Sequence, residues 1–208
     1  MITKNHKLDP MLKPKSIVLV GGSPKVRSVG NLMIRTLNKG AFKGDKFIVN
    51  PRHKEVEKIK SFSSLSDLPF APDLAVISLA SHRIENAVQE AIKIGVKSLV
   101  IFDFCLLEND TKPFLLERLK SITKEANISV CGGNGMGFFN YNSNTFVSFQ
   151  EPTSIVPGYI TAICHSGSVF AMLADAAGHY GFNLITAQGQ EINASIADYM
   201  SFAIEQTH

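Results

Sequence analysis

The chain is predicted to be an α/β protein built on a doubly wound, parallel sheet, and three observations lead there. Continuous apolar runs such as Leu74-Ala75-Val76-Ile77 read as strands covered on both faces. Helix-period segments alternate with those runs, the β-α order of a parallel sheet. The first run, Ile17 to Val20, stops at Gly21-Gly22, and a helical pattern opens at Ser28. A strand handing over to a helix through a glycine turn places ligands at the carboxyl edge of such a sheet.

Taken in order, strands are expected at 16–20, 46–50, 73–79, 97–102 and 127–131. Helices are expected at 29–39, 82–94 and 111–126, with a short helical turn at 64–68. From 132 to 157 glycine, asparagine, aromatic and proline residues replace the alternation, so an irregular segment and linker is expected. A second unit follows, with strands at 159–164 and 182–187 and helices at 168–181 and 195–206. Two such β-α steps bury too little surface to stand alone. The expected organisation is therefore a first domain over 1–150 and a partial second domain over 151–208. Apolar surface left by that partial domain invites association with further domains or with a second copy as a homo-oligomer.

Composition narrows the function classes. With 45% hydrophobic and 19% charged residues, the chain has the makings of a real core. No apolar run reaches 18 residues, and the first run is too short for a secretory leader, so no membrane role is expected. Cys105, Cys131 and Cys164 lie far apart in apolar segments and read as reduced thiols of a cytoplasmic protein, without metal-ligand spacing. His6, His53, His82, His179 and His208 likewise show no metal pattern. Charge is unevenly spread: residues 1–60 hold 14 Lys/Arg against 4 Asp/Glu, and the remainder holds 7 against 14. A basic first third beside a glycine turn suits a polyanionic small molecule. Nucleic acid is disfavoured, because no basic strand interleaved with aromatics and no basic reading helix is present.

Five constellations could carry chemistry. In the loop 21–30, Gly21 and Gly22 allow close backbone approach. Ser23 and Ser28 bring hydroxyls, and Lys25 and Arg27 bring positive charge, the makings of a phosphate cradle at a helix N-terminus. The spacing does not match the dinucleotide pattern G-x-G-x-x-G. At the end of the second strand stand Asn50, Pro51 and Arg52, where an NAD site would want an acid. Arg52 suits a phosphorylated ribose and leaves NADP open, while the missing third glycine argues against it. Gly132-Gly133-Asn134-Gly135-Met136-Gly137 marks backbone passing close to a ligand or a neighbouring domain, and Phe138 and Phe139 argue against a free linker. Cys164-His165-Ser166-Gly167-Ser168 is a second strand-to-helix turn receptive to anions. The nucleophile pattern G-x-S-x-G is absent there, which disfavours a hydrolase. Finally, Glu191 in Gln188-Gly189-Gln190-Glu191 puts a carboxylate at a strand end, able to orient a histidine or a substrate, while Asp198 reads as an exposed helix charge.

Together these segments resemble the N-terminal part of the nucleoside-diphosphate-forming acyl-CoA synthetases, relatives of the succinyl-CoA synthetase α subunit. The likeness runs through LKPKSIVLVGGSPKVRSVG, FIVNPRHKEV, SLSDLPFAPDLAVISL, GVKSLVIF, GGNGMGFFN, ITAICHSGSVF and TAQGQEINASIADYM, nearly the whole chain. The resemblance implies a Rossmann-like CoA-binding domain followed by the start of a flavodoxin-like one. Gly21, Gly22, Ser23, Pro24, Lys25, Ser28 and Val29 would surround the CoA phosphates, and Asn50, Pro51 and Arg52 would meet the ribose-phosphate end. Ser78 and Leu79 would line the adenine side, and Asn134 would stand near the thiol. Ser166, Gly167 and Ser168 would hold a phosphate, and Glu191 would face a phosphorylated histidine that lies outside this chain. The chain departs from the family at Gly133 and Gly135, where many members have Pro and Cys, and at Gln190, where many have Asn. His165-Ser166-Gly167 and Gly189-Gln190-Glu191 resemble the feruloyl- and pimeloyl-CoA synthetase branch. The whole reaction would join a carboxylic acid to CoA through acyl-phosphate and phosphohistidine intermediates. ATP and magnesium would be bound by an ATP-grasp domain or subunit outside this chain, which alone is expected to be catalytically silent. A stand-alone CoA- or nucleotide-binding sensor and an NADP-dependent reductase are the alternatives.

Overall fold

The computed structural model describes residues 6–205. Its centre is a seven-stranded sheet of β1 (Ser16–Val20), β2 (Asp45–Val49), β3 (Glu55–Val56), β4 (Ile59–Phe62), β5 (Leu74–Ile77), β6 (Ser98–Ile101) and β7 (Ser129–Cys131). The spatial order is β3-β4-β2-β1-β5-β6-β7, parallel throughout except for the β3–β4 pair. The chain thus grows outward from β1 in one direction and then returns to its other side at β5. That reversal puts a crevice beyond the carboxyl ends of β1 and β5.

Alternation along each strand feeds two cores. Ile17 and Leu19 of β1 enter one, Val18 and Val20 the other. On the second face lie α3 (Ser81–Ile94) and α4 (Leu115–Glu125), which bury Ile84, Val88, Leu115 and Leu119. The Arg118 guanidinium ties these two helices together, donating to Glu85 at 2.9 Å and Asp110 at 3.0 Å. The first face is covered by α1 (Asp9–Leu12), α2 (Val29–Lys39) and α6 (Ile196–Glu205), together with a second, smaller sheet. α2 begins where Ser28 caps it, the Oγ accepting from Asn31 N at 3.2 Å. Asp198 caps α6 through Ser195 and pairs with Lys7 at 2.8 Å, so it is more than the exposed helix charge expected.

The smaller sheet corrects the reading of 132–157 as irregular. β8 (Gly137–Asn140) and β9 (Thr145–Val147) form a hairpin, and β8 pairs antiparallel with β11 (Phe182–Ala187). β10 (Ile160–Cys164) completes the order β10-β11-β8-β9, parallel to β11. Burial explains the hairpin: Phe138 faces the first core, and Phe139 and Phe146 pack on Phe170 of α5 (Gly167–Ala176) across the other face. The small sheet therefore draws two strands from before residue 150, while α6 returns from the far end of the chain to cover the large sheet.

Two helices are shorter than their periodicity implies. α4 starts at Leu115 because Pro113 precedes it and Asp110 accepts from Leu115 N at 2.6 Å, while α5 stops at Ala176. No helix among the described residues is long and apolar enough to cross a membrane.

Candidate functional site

The crevice between β1 and β5 is a cleft of about 680 Å³. Its floor is the turn after β1. Gly21 adopts φ +91°, and a Cβ there would collide with the Ser78 carbonyl, so a side-chain-free residue is required. Gly30, in the first turn of α2, packs on the Gly21 carbonyl in the same way. The helix N-terminus is drawn tight under the turn as a result. Ser28 Oγ donates to Lys25 O at 2.6 Å, and the buried Asn31 side chain donates to Ser23 O at 3.4 Å. From β2, Asn50 Nδ2 donates to Gly22 O at 2.8 Å while its Oδ1 accepts from Arg52 N at 3.0 Å. Asn50 thereby locks the glycine turn to the segment that carries Arg52.

Of the residues singled out from sequence, Gly21, Ser23, Asn50, Pro51, Arg52, Ser78 and Leu79 line this cleft. Gly22 is buried behind the turn against Ile48. Pro24, Lys25 and Val29 are exposed and outside the lining, and Ser28 is the helix cap. Asn134 is exposed and is not part of the lining, its N–H donating to Asp103 O at 2.8 Å. Sequence reasoning missed the opposite wall, where Arg83, Asn86 and Glu90 of α3 face the cavity together with Ser63 and Ser64. A signal was present: the first turn of α3 carries His82 and Arg83 but no acid, against the usual preference of a helix N-terminus.

A second constellation lies at the carboxyl ends of β10 and β11. Ser166 caps α5, with Oγ accepting from Val169 N at 3.4 Å, beside Gly167 and Ser168. Glu191 Oε1 lies 2.8 Å from His165 Nε2 and also accepts from Ile196 N at 2.8 Å. The carboxylate at this strand end thus contacts a histidine of this same chain, His165. The glycine run 132–137 resolves in favour of a neighbouring segment. Gly133 O accepts from Gln190 N at 2.8 Å, Gly132 O accepts from Ile192 N at 2.9 Å, and a Cβ on Gly189 would strike Gly133. Backbone packed on backbone excludes side chains there. Beside it, burial and then the Asp103 charge push the Cys105 thiol up to about 12, so this sulfur is no thiolate nucleophile.

Comparison with known proteins agrees with this geometry. The acetate–CoA ligase II (ADP-forming) of Archaeoglobus fulgidus is 27% identical over 207 residues, which cover 96% of this chain and 31% of that protein. The 4-hydroxybutyrate–CoA ligase (ADP-forming) of Nitrosopumilus maritimus is 29% identical over 196 residues, 92% of this chain and 28% of that one. The chain thus spans less than a third of the length of these ligases. Among solved structures, the dinucleotide-forming acetyl-coenzyme A synthetase 1 of Ca. Korarchaeum cryptofilum, in complex with phosphate and ADP, superposes with a TM-score of 0.87 at 25% identity. That match covers 94% of this chain and 42% of the synthetase. The chain is homologous to the CoA-binding portion of ADP-forming acyl-CoA synthetases, and its fold is theirs. The model of the CoA binding domain matches residues 15–140, the whole large sheet with the cleft at its carboxyl edge, and the chain belongs to that family.

Proposed function

We propose that the cleft beyond β1 and β5 binds coenzyme A, and that the chain serves as the CoA-binding portion of an ADP-forming acid–CoA ligase. The observation that carries this reading is the Gly21 turn, closed to any side chain and opening on a cavity that Arg52 and Arg83 line. A diphosphate fits that cradle, with the N–H groups of the α2 N-terminus beneath it. When bound, coenzyme A supplies the thiol that accepts the acyl group. The chain's own residues bind and orient it: the glycine turn seats the diphosphate, Asn50 holds the turn in register, Arg52 neutralises charge, and Ser78 and Leu79 form the wall for the base. Pro24, Lys25, Ser28 and Val29 frame the outside of the loop. Asn134, Ser166, Gly167, Ser168 and Glu191 belong to the acyl- and phosphate-handling side, with Glu191 held in place by His165.

Joining a carboxylic acid to the thiol requires ATP and magnesium, held by further synthetase domains or a separate subunit, and this chain alone is catalytically silent. The free thiols of Cys105, Cys131 and Cys164 suit a reducing compartment, the cytoplasm. Calorimetric titration with coenzyme A tests the reading. Micromolar or tighter binding is expected. Arg52→Ala should weaken it by roughly tenfold or more, the worth of a charge-assisted hydrogen bond, and Lys25→Ala by less, because Lys25 lies outside the lining. No heat of binding with the intact chain overturns the proposal.

A further inference from the structure

We infer that Arg83, acting across the cleft with Arg52, selects a ligand bearing a terminal phosphomonoester in addition to its diphosphate. In coenzyme A that group is the 3′-phosphate, which dephospho-coenzyme A lacks. The inference rests on the coenzyme A reading above and deepens it. Arg52 follows β2 and Arg83 stands in the first turn of the helix after β5, so the two flank the β1 turn from either side. The ends of β2 and β5 are two strand spacings apart, about 9–10 Å. Both arginines line the cleft, and two long guanidinium side chains are able to span such a gap to a single group between them.

Both side chains are available. Among the described residues neither guanidinium forms a hydrogen bond or an ion pair, whereas Arg35 is paired with Glu151 and Arg118 with Glu85 and Asp110. Nearby carboxylates are otherwise engaged. Glu90, the acid that lines the cleft, accepts from Ser66 N at 2.9 Å and Ser66 Oγ at 3.0 Å. Asp103, near the start of α3, accepts from Ser81 Oγ and Cys105 N and is not part of the lining.

The helix termini point the same way. α1, α4 and α6 each carry an acid in the first turn, Asp9, Glu117 and Asp198. α2, α3 and α5 carry none, and of these α3 sets Arg83 in its first turn, an arrangement of like charge against the helix dipole that an incoming anion relieves. The diphosphate is already accommodated by the glycine turn and α2. A second anionic group of the ligand accounts for the remaining pair of arginines. A planar fork on each side matches a phosphomonoester with its three terminal oxygens, a geometry that lysine would meet less well.

The test is calorimetric titration of the intact chain with coenzyme A and with dephospho-coenzyme A, repeated for Arg83→Ala and Arg83→Lys. Arg83 is exposed, so unchanged circular dichroism is expected in both variants. Wild type should bind coenzyme A at least about tenfold tighter than the dephospho form. Arg83→Ala should shrink that ratio to within about threefold while leaving dephospho-coenzyme A affinity nearly unchanged, and Arg83→Lys should retain part of the preference. Equal affinity of wild type for the two ligands overturns the inference, as does an Arg83→Ala variant that weakens both by one common factor. Failure of wild type to bind either ligand would remove the coenzyme A reading itself and this assignment with it.

Discussion

Gly21 shows how a single residue sets the floor of the cleft. Its φ of +91° lies in a region that L side chains rarely adopt, and the Ser78 carbonyl occupies the space a Cβ would need. Gly21→Ala therefore carries two penalties, a strained backbone and a clash between the ends of β1 and β5. A loss of roughly 2–4 kcal/mol is expected, read as a shift of the urea midpoint and accompanied by loss of coenzyme A binding. A variant as stable as wild type would mean the turn can open elsewhere. That a glycine was needed at this position is legible from the sequence, since a β-branched run ending in Gly-Gly before a helix has few other meanings. Which carbonyl the glycine must admit is not legible, because Ser78 lies 57 positions further along the chain.

At the scale of elements, the amino ends of the strands are fastened as carefully as the carboxyl ends are opened. Asp73, just before β5, accepts from Lys15 N and from Lys97 Nζ, each at 2.8 Å, while its own N–H donates to Ser16 Oγ at 3.0 Å. One carboxylate thus ties together the starts of β1, β5 and β6. Burial raises its pKa, but the Lys97 ammonium and the backbone donors outweigh burial and hold it below the ordinary 3.8. A depressed carboxylate stabilises the fold above its unfolded pKa and loses that contribution as pH falls through the lower, folded value. The stability gap between wild type and Asp73→Asn should accordingly be full near pH 7 and shrink as pH falls below about 4. Urea titrations across that range would show it, and a gap independent of pH would refute it.

The same scale shows where pattern reading stops. The strands at β1, β2, β5, β6 and β7 were plain as apolar runs. The β3–β4 hairpin was not, because its turn residues Glu57 and Lys58 both take positive φ, 50° and 62°. Such a turn ordinarily announces itself through Asn-Gly or Asp-Gly. Here two charged residues fill it, held by the pairing of Val56 with Ile59 rather than by their own preference.

For the molecule as a whole, the decisive feature is that the last helix closes the first core. Tyr199 of α6 is fully buried, and its hydroxyl donates to Met11 Sδ at 3.3 Å. The segment before α6 runs along the edge of β7. Ala194 N donates to Val130 O at 3.3 Å, and the Asn193 side chain accepts from Val130 N at 2.7 Å and donates to Ile128 O at 2.6 Å. An edge strand that would otherwise invite foreign pairing is thereby covered. Tyr199→Ala should cost roughly 3–5 kcal/mol, as large-to-small changes in a core do, within one cooperative unfolding transition. A loss under about 1 kcal/mol, or a separate early transition of the C-terminal part, would show that the two sheets are only loosely coupled.

The alternation of apolar runs and amphipathic helices, the glycine turn with its basic surroundings and the acid-free Asn50-Pro51-Arg52 segment were all written locally, in neighbouring residues whose periodicity and chemistry can be read without a fold. Local patterns of that kind specify the doubly wound sheet and suggest the class of ligand proposed for its carboxyl edge. Three outcomes depended on contacts between distant segments: the pairing of β8 with β11, the seating of α6 over β7, and the placing of Arg83 opposite Arg52 across the cleft. Each brings together residues some 30 to 65 positions apart, and their proximity follows only once the strand order around β1 has been set by the packing of both faces.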